Sequence, residues 1–234
     1  MNKKEKTEVS KNAMANTVDS KNQVSKYVDI FENGGSVRVL FIGNSITKHA
    51  PLESIGWSGN WGMAASCREN DYVHRTVAQL DKKFGKVDYC IAQLAQWERR
   101  YSEGEAVLNQ YYTAARDFSA DIIIARIGEN ISREENEKIC CKPYYDEMIK
   151  YFATNENAKI IITDNFWNIE VLNKIIKEVA EENGYPFCHL SDLELDERTM
   201  AKGLFEHAGV AAHPSDYGMQ CISDRIMGKI NEIM

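Results

Sequence analysis

The chain has 234 residues, with 28 Lys plus Arg against 35 Asp plus Glu and a formal net charge of -7. A chain of this length can bury a core without disulfides or metals, and its size favours one large domain over two. The acidic balance excludes a broad nucleic-acid or anionic-membrane surface, because both need clustered Lys and Arg. We therefore expect neither nucleic acid nor a membrane as a partner.

The six cysteines are scattered and form no C-x-x-C pair, which argues against metal fingers and thioredoxin-type motifs. Basic residues near the start are not followed by an apolar stretch, and no later segment reaches the ~18 apolar residues of a membrane span. These features predict a cytoplasmic protein with reduced thiols. An export signal absent from this sequence would overturn that expectation.

The start of the chain differs from the rest. Residues 1–35 are interpreted as a polar extension preceding a domain over 36–234. The first 22 or so residues lack periodicity, which is typical of disorder. Within 23–33, apolar residues recur at helical spacing and predict a short helix before Gly34-Gly35: Val24, Tyr27, Val28 and Phe31.

Short apolar runs then alternate with helical patterns. The predicted strands are 37–43, 87–94, 121–127, 158–164 and 185–190. The predicted helices are 71–84, 104–118, 143–153, 168–183 and 215–233. Such alternation is typical of βαβ units. It predicts an α/β fold with three α/β/α layers and about five parallel strands. The flavodoxin-like strand order 2-1-3-4-5 is taken as the working arrangement.

Polar residues follow two strands that this order makes neighbours. The first strand runs into Asn44-Ser45, and the third into Gly128-Glu129-Asn130. His213 comes just before the last helix. Ligands of open parallel sheets bind beyond the carboxyl ends of the strands. Ser45, Asn130 and His213 are therefore expected to face one cleft.

Four blocks in this order resemble the SGNH hydrolases, also called the GDSL lipase/esterase family. They are FIGNSIT (41–47), GNWGMAAS (59–66), IGEN (127–130) and HPSDYGM (213–219). Asn44 stands where the family name has Asp. The resemblance implies a flavodoxin-like SGNH hydrolase architecture and a serine ester hydrolase. Each block alone is weak, but their order and their positions at strand ends are fairly specific.

The resemblance also implies roles at the matching positions. Ser45 would attack an ester carbonyl, and His213 would act first as base and then as acid. The oxyanion would be held by the N–H groups of Ser45 and Gly62 and by the Asn130 side chain. The partner would be a small acyl ester, an acetylated sugar being one candidate, and the chemistry needs no metal or other cofactor.

One position departs from the family. The usual Asp three residues before the histidine is Val210 here. A backbone carbonyl, that of Val210 being one candidate, could bind the imidazole instead. Glu206 or another carboxylate could substitute, or catalysis could have been lost. We favour a Ser–His dyad without an orienting aspartate.

Structural roles compete with each functional one. Ser45 and Asn130 could be helix caps or turn residues. His207 is the strongest rival of His213, since it lies in the same loop; the others are His49, His74 and His189. Asn44, Trp57 and Trp61 are assigned to substrate binding, the two indoles as an aromatic wall, although packing is the commoner role of tryptophan.

Two other functions use the same residues. An acyltransferase would pass the acyl group to an alcohol other than water. A ligand-binding protein would keep the fold but lack efficient catalysis, which the missing Asp favours. Oligomeric state cannot be read from the sequence.

Overall fold

The computed structural model describes residues 22–234. The expected disorder of the first 22 residues therefore falls, except for residue 22, outside the described residues. The strands are β1 Val28–Phe31, β2 Val37–Gly43, β3 Val87–Gln93, β4 Ile122–Arg126, β5 Lys159–Thr163 and β6 Phe187–Cys188. The helices are α1 Tyr72–Phe84, α2 Ala95–Arg100, α3 Glu105–Tyr111, α4 Thr113–Asp117, α5 Arg133–Lys138, α6 Lys142–Phe152, α7 Glu170–Asn183, α8 Ala208–Ala211 and α9 Asp216–Ile233.

The strands form one sheet in the order β1-β3-β2-β4-β5-β6. Strands β2 to β6 are parallel, and β1 is antiparallel to β3. The predicted α/β class and the order 2-1-3-4-5 are confirmed for the five parallel strands. Because β3 and β4 flank β2 on opposite sides, the turn after β2 lies between the ends of two neighbours.

The helix predicted over 23–33 is wrong. Residues Val28–Phe31 form β1, with Val28 opposite Ala92 and Phe31 opposite Tyr89. Such a short apolar spacing fits either a helix or a strand. Pairing with the free edge of β3 makes the segment a strand. Part of the predicted extension therefore belongs to the central sheet.

Other differences concern segment boundaries. The helix predicted over 104–118 is two short helices, α3 and α4, interrupted at Tyr112, whose φ of -128° and ψ of 12° are not helical. The run 185–190 contributes only the two residues of β6. Helices α2, α5 and α8 were not predicted as elements. In α5 the Ser132 side chain caps the helix by accepting from the Glu135 N–H.

Alternate side chains of the strands enter two separate cores. On β2, Val39 and Phe41 face the core covered by α1 and α9, while Leu40 and Ile42 face the core covered by α3, α4, α6 and α7. A strand buried on both faces needs apolar residues at consecutive positions, as found here. The result is the predicted arrangement of three layers.

Within the described residues, no helix is both long and apolar enough to cross a membrane. The six cysteines all lie in this part of the chain and none is in a disulfide.

Two glycines of α9 provide a matched test of its packing. A Cβ on Gly218 would lie 2.1 Å from the Thr199 carbonyl oxygen, whereas one on exposed Gly228 would meet nothing within 4 Å. We expect Gly218→Ala to lower the free energy of unfolding by about 1–3 kcal/mol, because backbone must move. Gly228→Ala should raise it by about 0.5–1 kcal/mol through helix propensity. Urea unfolding of both variants measures the difference, and equal effects would contradict the packing described.

Candidate active site

Ser45 and His213 are in direct contact. Ser45 lies in the turn that follows β2, and its Oγ is 2.8 Å from His213 Nε2. His213 follows α8, where its N–H donates to the Val210 carbonyl and its own carbonyl accepts from the Ala201 N–H. Both residues are thus held by backbone hydrogen bonds at the carboxyl edge of the sheet. A hydroxyl at this distance from an imidazole nitrogen can transfer its proton to it.

A backbone carbonyl lies against the other nitrogen of the ring. His213 Nδ1 is 2.7 Å from the carbonyl oxygen of Gly209, at the start of α8. A carbonyl only accepts hydrogen bonds, so this contact fixes the proton on Nδ1 and leaves Nε2 as the acceptor facing Ser45. The carbonyl is that of Gly209, one residue before the Val210 carbonyl named as a candidate.

Burial keeps the His213 ring neutral. Desolvation lowers its pKa to about 4, although the bond to the Gly209 carbonyl acts in the opposite direction. Trp167, which follows β5, packs edge-on against the imidazole with ring centroids 5.4 Å apart. At neutral pH the ring is therefore free to accept a proton.

Glu98 joins the loops that carry Asn44 and Asn130. Its Oε1 accepts from Asn44 Nδ2 at 2.9 Å, the Gly128 N–H at 2.9 Å and the Asn130 N–H at 3.1 Å. Its Oε2 accepts from Asn130 Nδ2 at 2.6 Å. Burial and Glu129 raise the pKa of this carboxyl, while these N–H donors oppose them. The four contacts, all from donors, favour the carboxylate.

Arg126 and Glu129 complete this buried network. Arg126 forms an ion pair with Glu129, and its Nη2 donates to Asn44 Oδ1 at 2.5 Å. Glu129 Oε2 accepts from Asn44 Nδ2 at 2.6 Å. An amide at position 44 can donate to two carboxylates and accept from Arg126 at once. An Asp there would add a third carboxylate, which explains Asn44 where the resembled family has Asp.

Two N–H groups, those of Ser45 and of the Asn130 side chain, lack a full set of partners among the described residues. The Asn130 amide has two hydrogens, of which Glu98 Oε2 takes one, and Asn130 lines the same cavity as Ser45. The Ser45 N–H has no acceptor among the described residues. Both groups are therefore available to a developing oxyanion.

The Gly62 N–H, predicted as a third oxyanion donor, already has an acceptor within the protein. Its N–H donates to the buried carboxylate of Asp71 at 3.1 Å. Glycine is required there for packing, because a Cβ would lie 2.5 Å from the carbonyl oxygen of Ile46. Gly62 therefore packs against the turn that carries Ser45.

The structure places the three residues assigned to substrate binding in the interior. Asn44 is fully buried in the network with Glu98 and Arg126. Trp57 and Trp61 are each 1% exposed, with their indole N–H groups bonded to the His49 and Ala65 carbonyls. None of the three lines the cavity that contains Ser45, so the indoles belong to the core.

The other histidines are accounted for separately. His49 and His207 line the cavity, but Ser45 contacts His213. His74 is bonded to Asp71, and His189 to Asp164. The preference for His213 over His207 therefore agrees with the geometry.

The sequence reasoning overlooked several residues of this site: Glu98, Arg126, Glu129, Trp167 and Gly209. Arg126 stood inside an apolar strand, which is a signal for a buried charge needing partners. The Glu98, Trp167 and Gly209 contacts depend on tertiary structure and had no comparable signal.

Comparisons with known proteins identify the fold. No family model and no curated protein matches the chain. A two-domain esterase active on acetylated mannans, co-crystallised with mannopentaose, is 13% identical, with a TM-score of 0.55 over 84% of this chain and 49% of that one. A family two carbohydrate esterase mutant from Clostridium thermocellum is 13% identical, with a TM-score of 0.55 over 85% and 64%.

A structure described as a GDSL-like lipase, from Parabacteroides merdae, is 15% identical, with a TM-score of 0.54 over 83% of this chain and 95% of that one. The chain spans about half the length of the two-domain esterase. Its structural neighbours are thus GDSL-like lipases and carbohydrate esterases, and it has their fold.

Glu98→Gln tests the buried network. The substitution keeps the shape but turns an NH₂ group toward N–H donors, so we expect the free energy of unfolding to fall by about 2–4 kcal/mol. Glu103→Gln is the matched control, since Glu103 pairs with Arg100 at the surface, and no measurable change is expected. Chemical denaturation measures both. Equal stability of the two variants would mean that the network contributes little.

Proposed function

We propose that the protein is a serine ester hydrolase acting on small acyl esters. The observation that carries the proposal is the contact of 2.8 Å between Ser45 Oγ and a His213 ring whose Nδ1 is bonded to the Gly209 carbonyl. The fold shared with carbohydrate esterases and GDSL-like lipases supports the same reaction class. An acetylated carbohydrate is the natural first substrate to try, since one neighbour is described as active on acetylated mannans.

The reaction would proceed in two steps. His213 Nε2 takes the proton of Ser45 as Oγ bonds to the ester carbonyl carbon, and the Ser45 N–H and Asn130 amide stabilise the oxyanion. The alkoxide leaves with the proton from His213, which yields the acyl-serine. Water, deprotonated by His213, then attacks the acyl-serine, and the acid and free Ser45 are released.

The absence of an aspartate does not remove the orientation of the histidine. The Gly209 carbonyl accepts from Nδ1 and selects the same tautomer that an aspartate would select. It carries no full charge, so it stabilises the imidazolium less than a carboxylate does. We therefore expect moderate turnover rather than inactivity.

The test is hydrolysis of 4-nitrophenyl acetate and of acetylated oligosaccharides. Ser45→Ala and His213→Gln should each lower kcat/KM by at least about 10³-fold, because nucleophile and base act as a unit. His189→Gln is the matched control, since His189 bonds Asp164 outside the cavity, and it should keep the wild-type rate. Wild type and Ser45→Ala hydrolysing at equal rates would refute the proposal.

A further inference from the structure

The cavity beside Ser45 has a charge opposite to that of the whole protein. It encloses about 460 Å³, and the described residues that line it include Lys26, Lys48 and Arg99 but no Asp or Glu. The chain as a whole has a net charge of -7. A cavity that collects cations and excludes carboxylates in an acidic protein selects for a negatively charged ligand.

Lys48 lies closest in sequence to the reacting serine. It is 3% exposed, and its Nζ is 2.5 Å from Oδ2 of the fully buried Asp29. An ammonium group has three N–H donors, and Asp29 is the one polar partner of Lys48 Nζ among the described residues. The Nζ atom itself is buried, so Asp29 offsets the charge of Lys48 inside the fold and the ammonium is not open to the cavity that Lys48 lines.

Lys26 and Arg99 are the exposed cations among the residues that line the cavity. Neither has a carboxylate partner among residues 22–234, although most other arginines there do hold one, such as Arg100 on Glu103. Burial and, less strongly, the charge of Arg99 lower the pKa of His49, which also lines the cavity. The guanidinium of Arg99 is thus close enough to act on groups within the site.

Backbone hydrogen bonds fix the end of β3 and the segment of Lys26 relative to Ser45. The Leu94 N–H donates to the Gly43 carbonyl at 2.6 Å, which joins the end of β3 to the turn that carries Ser45. The Gln93 N–H donates to the Tyr27 carbonyl at 2.9 Å, which holds the segment carrying Lys26. Gln93 also lines the cavity, and its buried Oε1 has no hydrogen-bond partner among the described residues. The two backbone bonds thus hold Lys26 and the end of β3 beside the turn of Ser45, whereas Gln93 Oε1 is a buried acceptor that cannot bind an anion.

We infer that the substrate is an ester that carries an anionic group, a carboxylate or a phosphate, bound by Lys26 and Arg99 while Ser45 attacks the acyl carbon. The inference rests on the proposed esterase function and specifies its substrate class. An acylated acidic sugar has this chemistry, whereas a neutral acylated glycan does not.

Paired esters test this directly. Neutral 4-nitrophenyl acetate is compared with 5-acetoxy-2-nitrobenzoate, which carries a carboxylate on the alcohol part, and with 4-nitrophenyl hemisuccinate, which carries one on the acyl part. The wild type should prefer at least one anionic ester in kcat/KM by about tenfold, and the preference should shrink as salt is raised. The anionic ester that is preferred shows whether the charge is bound on the alcohol part or on the acyl part of the substrate.

The variant that carries both Lys26→Gln and Arg99→Gln should lower the ratio of anionic to neutral kcat/KM about tenfold. Lys174→Gln with Arg116→Gln removes the same total charge from exposed helix positions outside the cavity and should keep the wild-type ratio. Absence of any preference in the wild type, or an equal fall of the ratio in both double variants, would overturn the inference.

Failure of the inference can be separated from failure of the proposed function. Active hydrolysis of the neutral ester with no anionic preference overturns the substrate class alone. Binding of the anionic esters to the Ser45→Ala variant is measured by calorimetry. Binding that is lost when Lys26→Gln and Arg99→Gln are added supports the anion site independently of turnover. Absence of both turnover and binding overturns both proposals.

Discussion

The buried carboxylate of Glu98 is the constraint on which the site depends. It accepts hydrogen bonds from the turn after β2, through Asn44, and from the loop after β4, through Gly128 and Asn130. These two loops carry Ser45 and Asn130, the nucleophile and an oxyanion donor of the proposed reaction. A buried acid is costly unless its oxygens are satisfied, so the cost of moving either loop away is high. The same interactions that stabilise the folded state therefore hold Ser45 and Asn130 at a fixed separation.

The same network determines which residue types are found at positions 126 and 44. Arg126 offsets the charge of Glu129 in the interior, and Asn44 supplies donors and an acceptor between them. On the other side of Ser45, the short α8 presents the Gly209 carbonyl to His213, and Trp167 covers the ring. The Gly209 carbonyl dipole thus orients His213 in place of the aspartate of a triad. Burial outweighs the opposite effect of this bond on the pKa and keeps the imidazole neutral at ordinary pH.

The sequence predicted the parts that depend on local patterns. Apolar runs located β2 to β5, their alternation with helices predicted a parallel sheet between two helix layers, and short motifs located Ser45, Asn130 and His213. The sequence did not predict features that depend on contacts between residues distant along the chain. The apolar spacing near Val28 fits a helix until the edge of β3 is known, and Gly62 resembles an oxyanion donor until Asp71 is found to accept its N–H. Trp57 and Trp61 could be assigned to the core only from their burial in the structure.

The central claim is that a neutral His213, held by a backbone carbonyl, activates Ser45. The most direct measurement is the rate at which a fluorophosphonate modifies Ser45 as a function of pH, followed by mass spectrometry of the labelled peptide. Because burial lowers the pKa of His213 to about 4, the base stays deprotonated well below pH 6.5. The account predicts an adduct on Ser45 that forms at a constant rate down to about pH 5 and more slowly below that. No adduct on the folded protein, or a rate that is already halved near pH 6.5, would contradict it.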